Sequence, residues 1–153
     1  MNESAPPEAV AFGMEPVRVY WEDTDASGIV YHAAYLRWAE RARTELLRSC
    51  GFDQSRLMAE QGVTFALRHC DIDFLAPARL DDILDVDTEI LEVGGASVRL
   101  FQRIRREGVP LAELAVRLAC LDRSGRPTRV PAGIRTVFER ARHEMIEELG
   151  RGG

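Results

Sequence analysis

Residues 19–38 read VYWEDTDASGIVYHAAYLRW and set three carboxylates, Glu22, Asp23 and Asp25, in a turn between an extended run and a helical one. Ahead of the turn Val17, Val19 and Trp21 share one parity, which predicts a short strand over 17–21. Beyond it, from His32 to Cys50, Tyr35, Trp38, Ala39, Ala42 and Leu46 recur at helical spacing, with Arg37, Glu40, Arg41, Thr44 and Arg48 on the other side. A long amphipathic helix follows, and Gly51 supplies a left-handed stop. Such a helix must bury its apolar stripe against something.

The rest of the chain supplies that partner. FDQSRLMAEQG (52–62) reads as a shorter helix with Asp53 as N-cap and Gly62 at its end. FALRHCDIDFL (65–75) reads as a strand whose apolar parity slips between Leu67 and Cys70, the sign of a bulge. ILDVDTEILEV, ASVRLFQRI and LAELAVRLACL alternate as strands, joined by tight turns at Gly94–Gly95 and REGVP into an antiparallel meander. After DRSGRP, IRTVFE (134–139) reads as a last strand before a charged helix from about Glu139. The sum is an α+β fold in which an antiparallel sheet of five or six strands wraps around one long central helix. Ala39 and Ala42 let the sheet approach that helix closely.

Whole-chain properties narrow the class. With 153 residues the chain makes one domain over 15–149, with a flexible tail over 1–14 and a disordered end over 150–153. A formal charge of −5 argues against a nucleic-acid surface, while leaving room for a local basic patch that grips phosphate. Cys50, Cys70 and Cys120 are odd in number and lack C-x-x-C spacing, which predicts neither disulfides nor zinc and fits a reducing cytoplasm. No run reaches the roughly 20 apolar residues of a membrane span.

Two readings of the acidic turn stand side by side. Carboxylates ahead of a helix start are stabilised by its free amides and its positive dipole end, so capping is sufficient reason for them. Yet Asp25 lies seven residues before His32, with Gly28 between, whereas a cap sits immediately before the first helical residue. A base on one wall and an oxyanion site at the helix end is the alternative.

The stretch DTDASGIVYHAAYLRWAERARTELLR resembles the D-x-x-G-x-V-x-x-x-x-Y signature of hotdog-fold thioesterases, in the branch of 4-hydroxybenzoyl-CoA thioesterase and the Tol-Pal-associated acyl-CoA thioesterases. Asp25, Gly28, Val30 and Tyr35 fall at the signature spacing, YH and ERAR resemble the Tol-Pal-associated subgroup, and the resemblance extends from about Val17 to Glu139. It implies hydrolysis of an acyl-CoA thioester without a cofactor. Asp25 would be the catalytic carboxylate, as nucleophile or as base to a water, and the backbone amide of His32 would polarise the thioester oxygen. Gly28 would keep the loop close and Tyr35 would line the pocket or fix the helix. The signature spacing gives the acid role to Asp25 rather than Asp23, which with Glu22 reads as structural or exposed. Arg126 and Arg129 are candidates for the CoA phosphates. The hairpin EVGGAS departs from the aromatic-acyl enzyme, which has a basic cluster there, and this argues against an identical CoA grip.

Competing chemistries have less behind them. His69, Asp71 and Asp73 share a strand face but lack a second ligand cluster for a metal. Ser27 lacks a G-x-S-x-G elbow, no Gly-rich phosphate loop follows a strand, and His143 reads as a surface residue. The other functional class is a hotdog protein that binds acyl-CoA or acyl carrier protein without hydrolysing it, or that dehydrates. Open sheet edges predict at least a homodimer, and the resemblance adds a homotetramer with active sites between protomers, the segment VTFALRH of a second chain completing each pocket.

Overall fold

A computed structural model describes residues 12–151. The elements run β1 (Phe12–Gly13), β2 (Val17–Arg18), α1 (His32–Ser49), α2 (Gln54–Gln61), β3 (Thr64–Phe74), β4 (Ile83–Val93), β5 (Ser97–Arg106), β6 (Val109–Leu121) and α3 (Ala132–Arg151). The strands pair antiparallel in the order β1-β4-β5-β6-β3, with β2 also on β4. The α+β architecture of six strands and a buried helix is the one the alternation implies.

Helix α1 buries Ala34, Tyr35, Trp38, Ala39, Ala42, Leu46 and Leu47 against the sheet. Facing them are Leu84, Val86 and Ile90 of β4 and Val98, Leu100 and Ile104 of β5, all at the inward parity. Deleting a side chain as large as the buried Trp38 would cost about 3–5 kcal/mol. Ala39 and Ala42 are fully buried, and the sheet comes close enough for Gln102 of β5 to donate to the Ala39 carbonyl at 3.0 Å.

Local details follow the residue chemistry. Asp53 caps α2 by accepting from the Arg56 amide at 2.9 Å, and Gly62 ends it at a φ of 68°. The bulge in β3 falls where register shifts between Leu67 and His69. Cys50 and Cys70 are half-buried, Cys120 is buried, and all three are unpaired. No described helix is long and apolar enough to cross a membrane.

Two expected elements change. The strand over 17–21 stops at Arg18, because Trp21–Asp23 winds into a 3-10 turn. IRTVFE is helical, part of α3: Ile134 and Phe138 are buried and Ala141 and Met145 pack beside them, a 3.6-residue repeat longer than the six-residue window that suggested alternation. The central helix is thus joined by a second long one. The expected N-terminal tail lies outside the described residues through position 11, but Phe12 and Gly13 pair with Thr88 and Asp87, and the Met14 amide donates to Val86. At the other end α3 includes Gly150 and Arg151, and residues 152–153 lie outside the described residues.

Candidate active site

The acidic stretch folds as a 3-10 turn followed by a small hairpin. Thr24 bridges Val30, the Asp25 amide donates to Ile29 at 2.9 Å, and the Gly28 amide closes the turn onto the Asp25 carbonyl at 3.0 Å. Gly28 has a φ of 82°, which disfavours any residue with a Cβ. A Cβ there would meet nothing within 4 Å, so within this chain glycine answers the turn conformation.

The two aspartates have separate jobs. Asp23 is buried: its carboxylate accepts from the Tyr20 amide at 2.9 Å and from Arg37 of α1 at 3.2 Å, while its carbonyl accepts from the Tyr31 amide at 2.8 Å. It ties the turn to the helix start, and neighbouring Glu22 is exposed. Asp25 is exposed, and its carboxylate accepts from the hydroxyl and the amide of Ser27. The hydroxyl first and the amide next hold its carboxyl below the ordinary value of 3.8, so it is ionised at neutral pH.

Helix α1 begins at His32. Its N-cap residue, Tyr31, offers no side-chain acceptor. The Ala34 amide closes onto the Tyr31 carbonyl at 2.9 Å, while the amides of His32 and Ala33 have no acceptor among the described residues. Two unspent donors at a positive helix end form a place for an oxyanion. The exposed His32 ring lies against Tyr31 with centroids 4.2 Å apart. Val30 donates to the Ala78 carbonyl at 2.9 Å and Ile29 bridges Arg79, which anchors the hairpin to the segment between β3 and β4. Tyr35 fixes that anchor from the helix: it is buried, its hydroxyl accepts from the Ala78 amide at 3.0 Å, and its ring meets Trp38 and Phe74 edge-on. Burial raises its pKa.

Arg126 and Arg129 are exposed in the turn after β6, where Pro127 bridges Leu121. Leu121 pairs with Thr64 at the start of β3, whereas the Asp25 hairpin is anchored beyond Phe74 at the strand's end. At about 3.3 Å per residue, roughly 30 Å of ladder separates these arginines from Asp25 within one chain. The Gly94–Gly95 turn is engaged by α3, since Arg135 donates to the carbonyls of Val93, Gly94 and Gly95. His69 and Asp71 are exposed, with His69 Nε2 3.2 Å from the Asp71 carboxylate, and no group of metal-binding side chains occurs among the described residues. His143 pairs with Glu147 on the surface of α3.

A buried polar network escaped the sequence reading. Gln102, fully buried, donates to Thr88 at 2.9 Å as well as to Ala39, and accepts from Arg43 of α1 at 3.0 Å. Its signal was present: Thr88 and Gln102 occupy core-facing positions of β4 and β5 and pair directly across the ladder. A hollow of about 440 Å³ adjoins this network and shares no lining residue with the Asp25 hairpin.

Comparisons with known proteins bear on the family and the fold. Residues 19–138 match the model of the thioesterase-like superfamily. The chain is 45% identical over 124 residues to the acyl-CoA thioesterase YbgC of Haemophilus influenzae, covering 80% of this chain and 91% of the relative. It is 47% identical over 126 residues to the acyl-CoA thioester hydrolase YbgC of Escherichia coli, covering 81% and 93%. Its fold superposes with a TM-score of 0.76 on the crystal structure of a probable thioesterase from Bartonella henselae, at 37% identity over 79% of this chain and 99% of that one.

Proposed function

The chain belongs to the thioesterase-like superfamily, and from that membership we propose that it hydrolyses acyl-CoA to a free acid and CoA, with Asp25 as the catalytic carboxylate and the first turn of α1 as the oxyanion site. The observation that carries the site reading is the pair of unspent amides, His32 and Ala33, at the end of the hairpin that displays an ionised Asp25. As the thioester carbonyl is attacked, negative charge gathers on its oxygen, and donors fixed in advance stabilise that charge without reorganising. A carboxylate kept ionised by Ser27 is suited to take a proton from water or to attack the carbonyl itself. In the first route the hydroxide adds, the C–S bond breaks, and the thiolate of CoA takes up the proton. In the second, the Asp25 carboxylate adds to the carbonyl, the C–S bond breaks to expel the CoA thiolate and leave an acyl–Asp anhydride, and water then cleaves the anhydride, regenerating Asp25 and releasing the acid and a proton that the thiolate takes up.

The opposed positions of the arginines and Asp25 support a site shared between protomers. β3 is an edge strand of eleven residues, with Leu67 and Phe74 exposed along it. Antiparallel pairing of β3 with a second copy brings the Thr64 end of one strand beside the Phe74 end of the other. Arg126 and Arg129 of one protomer then stand near the Asp25 hairpin of its mate and are available to CoA phosphates. Gly28 holds the turn, Tyr35 holds its anchor, and the His32 ring flanks the entrance.

The test is release of free CoA thiol across a panel of acyl-CoA thioesters, with Asp25→Asn assayed in parallel. Hydrolysis of at least one thioester, lost in the variant, is expected. An Asp25→Asn protein as active as the wild type overturns the site assignment.

A further inference from the structure

The loop that carries Asp25 is fastened at both ends to one short turn between β3 and β4. At its start the Val19 amide donates to the Asp82 carbonyl at 2.9 Å, and the Asp81 amide returns a bond to the Val19 carbonyl at 3.0 Å. At its end the Val30 amide donates to the Ala78 carbonyl at 2.9 Å and Ile29 bridges Arg79. Whatever holds this turn therefore holds both legs of the loop. Within the turn Asp81 has a φ of 70°, a left-handed conformation that persists when the surroundings enforce it. The Asp82 carboxylate accepts from the Arg79 amide at 2.9 Å. The same carboxylate oxygen accepts from Arg106, the last residue of β5, at 2.7 Å, and Arg106 also reaches the Pro77 carbonyl at 3.4 Å.

We infer that Asp82 and Arg106 are positioning residues for thioester cleavage: their ion pair fixes the turn that sets where the Asp25 carboxylate stands relative to the His32 and Ala33 amides. The inference rests on the proposed hydrolysis and adds to it two residues that touch neither the substrate nor the reacting bond. Carboxylate and amides are referred to the same sheet by separate routes. The amides follow α1, whose buried face is packed on β4 and β5, whereas the carboxylate follows the turn, which Arg106 ties to the end of β5. A charge-assisted bond of 2.7 Å is the short, directional kind that fixes such a junction. Burial alone would raise the Asp82 pKa, but the Arg79 amide and Arg106 outweigh it and hold the carboxyl below 3.8, so the pair is charged at neutral pH. Both side chains are partly exposed, and a pair of that kind contributes little to global stability. Its effect is on placement, and a misplacement of about 1 Å costs up to about 10²-fold in rate. Tyr35 holds the Ala78 end of the turn independently, so losing the pair loosens the loop without detaching it.

The test joins steady-state hydrolysis of the acyl-CoA that the wild type cleaves fastest to amide hydrogen exchange and thermal unfolding of the full-length protein. Arg106→Gln is expected to lower kcat about tenfold or more with little change in KM and a melting temperature close to that of the wild type. Arg106→Lys, which keeps the charge, should recover most of the loss. Asp82→Asn keeps an acceptor for the Arg79 amide, and combined with Arg106→Gln it should add nothing to the larger single effect, since the two residues act as one unit. Exchange should quicken at the Val19, Val30 and Asp81 amides and stay unchanged within α1 and β5, a local pattern that a general loss of stability does not produce. If Arg106→Gln fails to fold by circular dichroism, Asp82→Asn and Arg106→Lys carry the test. The inference alone is overturned if wild type is active and Asp25→Asn is not, yet folded pair variants keep the wild-type kcat, change KM only, multiply their losses, or leave exchange at Val19 and Val30 unaltered. A wild type that cleaves no acyl-CoA overturns the hydrolase reading and the inference with it.

Discussion

The carboxylate of Asp23 accepts from Arg37 of α1 at 3.2 Å, whereas the carboxylate of Asp25, two residues on, is engaged by its neighbour Ser27. One aspartate therefore fixes the loop to the helix and the other faces outward. Asp25→Asn should lower kcat by about 10²–10⁴-fold, the range for loss of a general base, with an unchanged melting temperature. Asp23→Ala should instead cost about 1–2 kcal/mol of stability, because the Tyr20 amide loses its acceptor. Thermal unfolding beside steady-state kinetics separates the two, and a stability loss in Asp25→Asn equal to that in Asp23→Ala would refute the division of labour.

The pH profile has a defined sign. Ser27 donates to the ionised form of Asp25 and so depresses its pKa below 3.8. Activity that needs the carboxylate should persist on lowering the pH and fall away only below that value. Ser27→Ala removes the hydroxyl, the larger of the two Ser27 contributions, and should move the acid limb of the kcat/KM profile upward. A limb that stays in place shows that Asp25 is not the group being titrated.

Mixing inactive variants tests the shared site. Asp25→Asn has intact arginines, and an Arg126→Ala/Arg129→Ala double variant has an intact aspartate. If the site joins Asp25 of one protomer to the arginines of its mate, a randomly mixed dimer has one intact site, and an equimolar mixture should regain about a quarter of wild-type activity. If one chain supplied both, the mixture would show only the mean of its two components.

Gln102 is the hub of the core polar network, and replacing it with leucine strands Arg43 and Thr88 together. Leaving buried donors and acceptors unmade should cost about 2–4 kcal/mol, seen as a melting temperature lower by roughly 5–15 °C. Thr88→Val removes one partner and should cost less than half as much. Equal effects from the two changes would mean that the arginine bond contributes nothing.

At the other end of the sheet, Arg135→Ala removes the donor that holds α3 to the Gly94–Gly95 turn. Faster amide exchange is expected along β4 near Val93 and in the first turns of α3, with the Asp25 hairpin unaffected. Exchange rates unchanged at both places would show that Ile134 and Phe138 dock the helix by themselves.

What the sequence disclosed followed the strength of local signals. Helix α1, the Asp53 and Gly62 caps and the β3 bulge were each written in a few adjacent residues, and the structure keeps them. The segment 134–139 misled because six residues fit both a strand and a helix, and only Ala141 and Met145 beyond it reveal the helical period. The turn at Asp23 and Asp25 was legible as a place. The separation of their roles, however, depended on Arg37, fourteen residues away, and on which carboxylate the 3-10 turn buries. Arg43 carried no local signal of its role, since its partner Gln102 lies fifty-nine positions along the chain.

The bond from Gln102 to the Ala39 carbonyl has a reach longer than its 3.0 Å. A rod seated on a greasy surface is free to roll about its long axis, because apolar contact has no preferred azimuth. A fixed donor in the floor beneath stops that rolling. Ala39 lies seven residues, about 10 Å of rise, from His32, so whatever pins the rod there also sets the compass bearing of its open tip. A glutamine with no place at the reacting bond thereby governs the direction in which the free amides point.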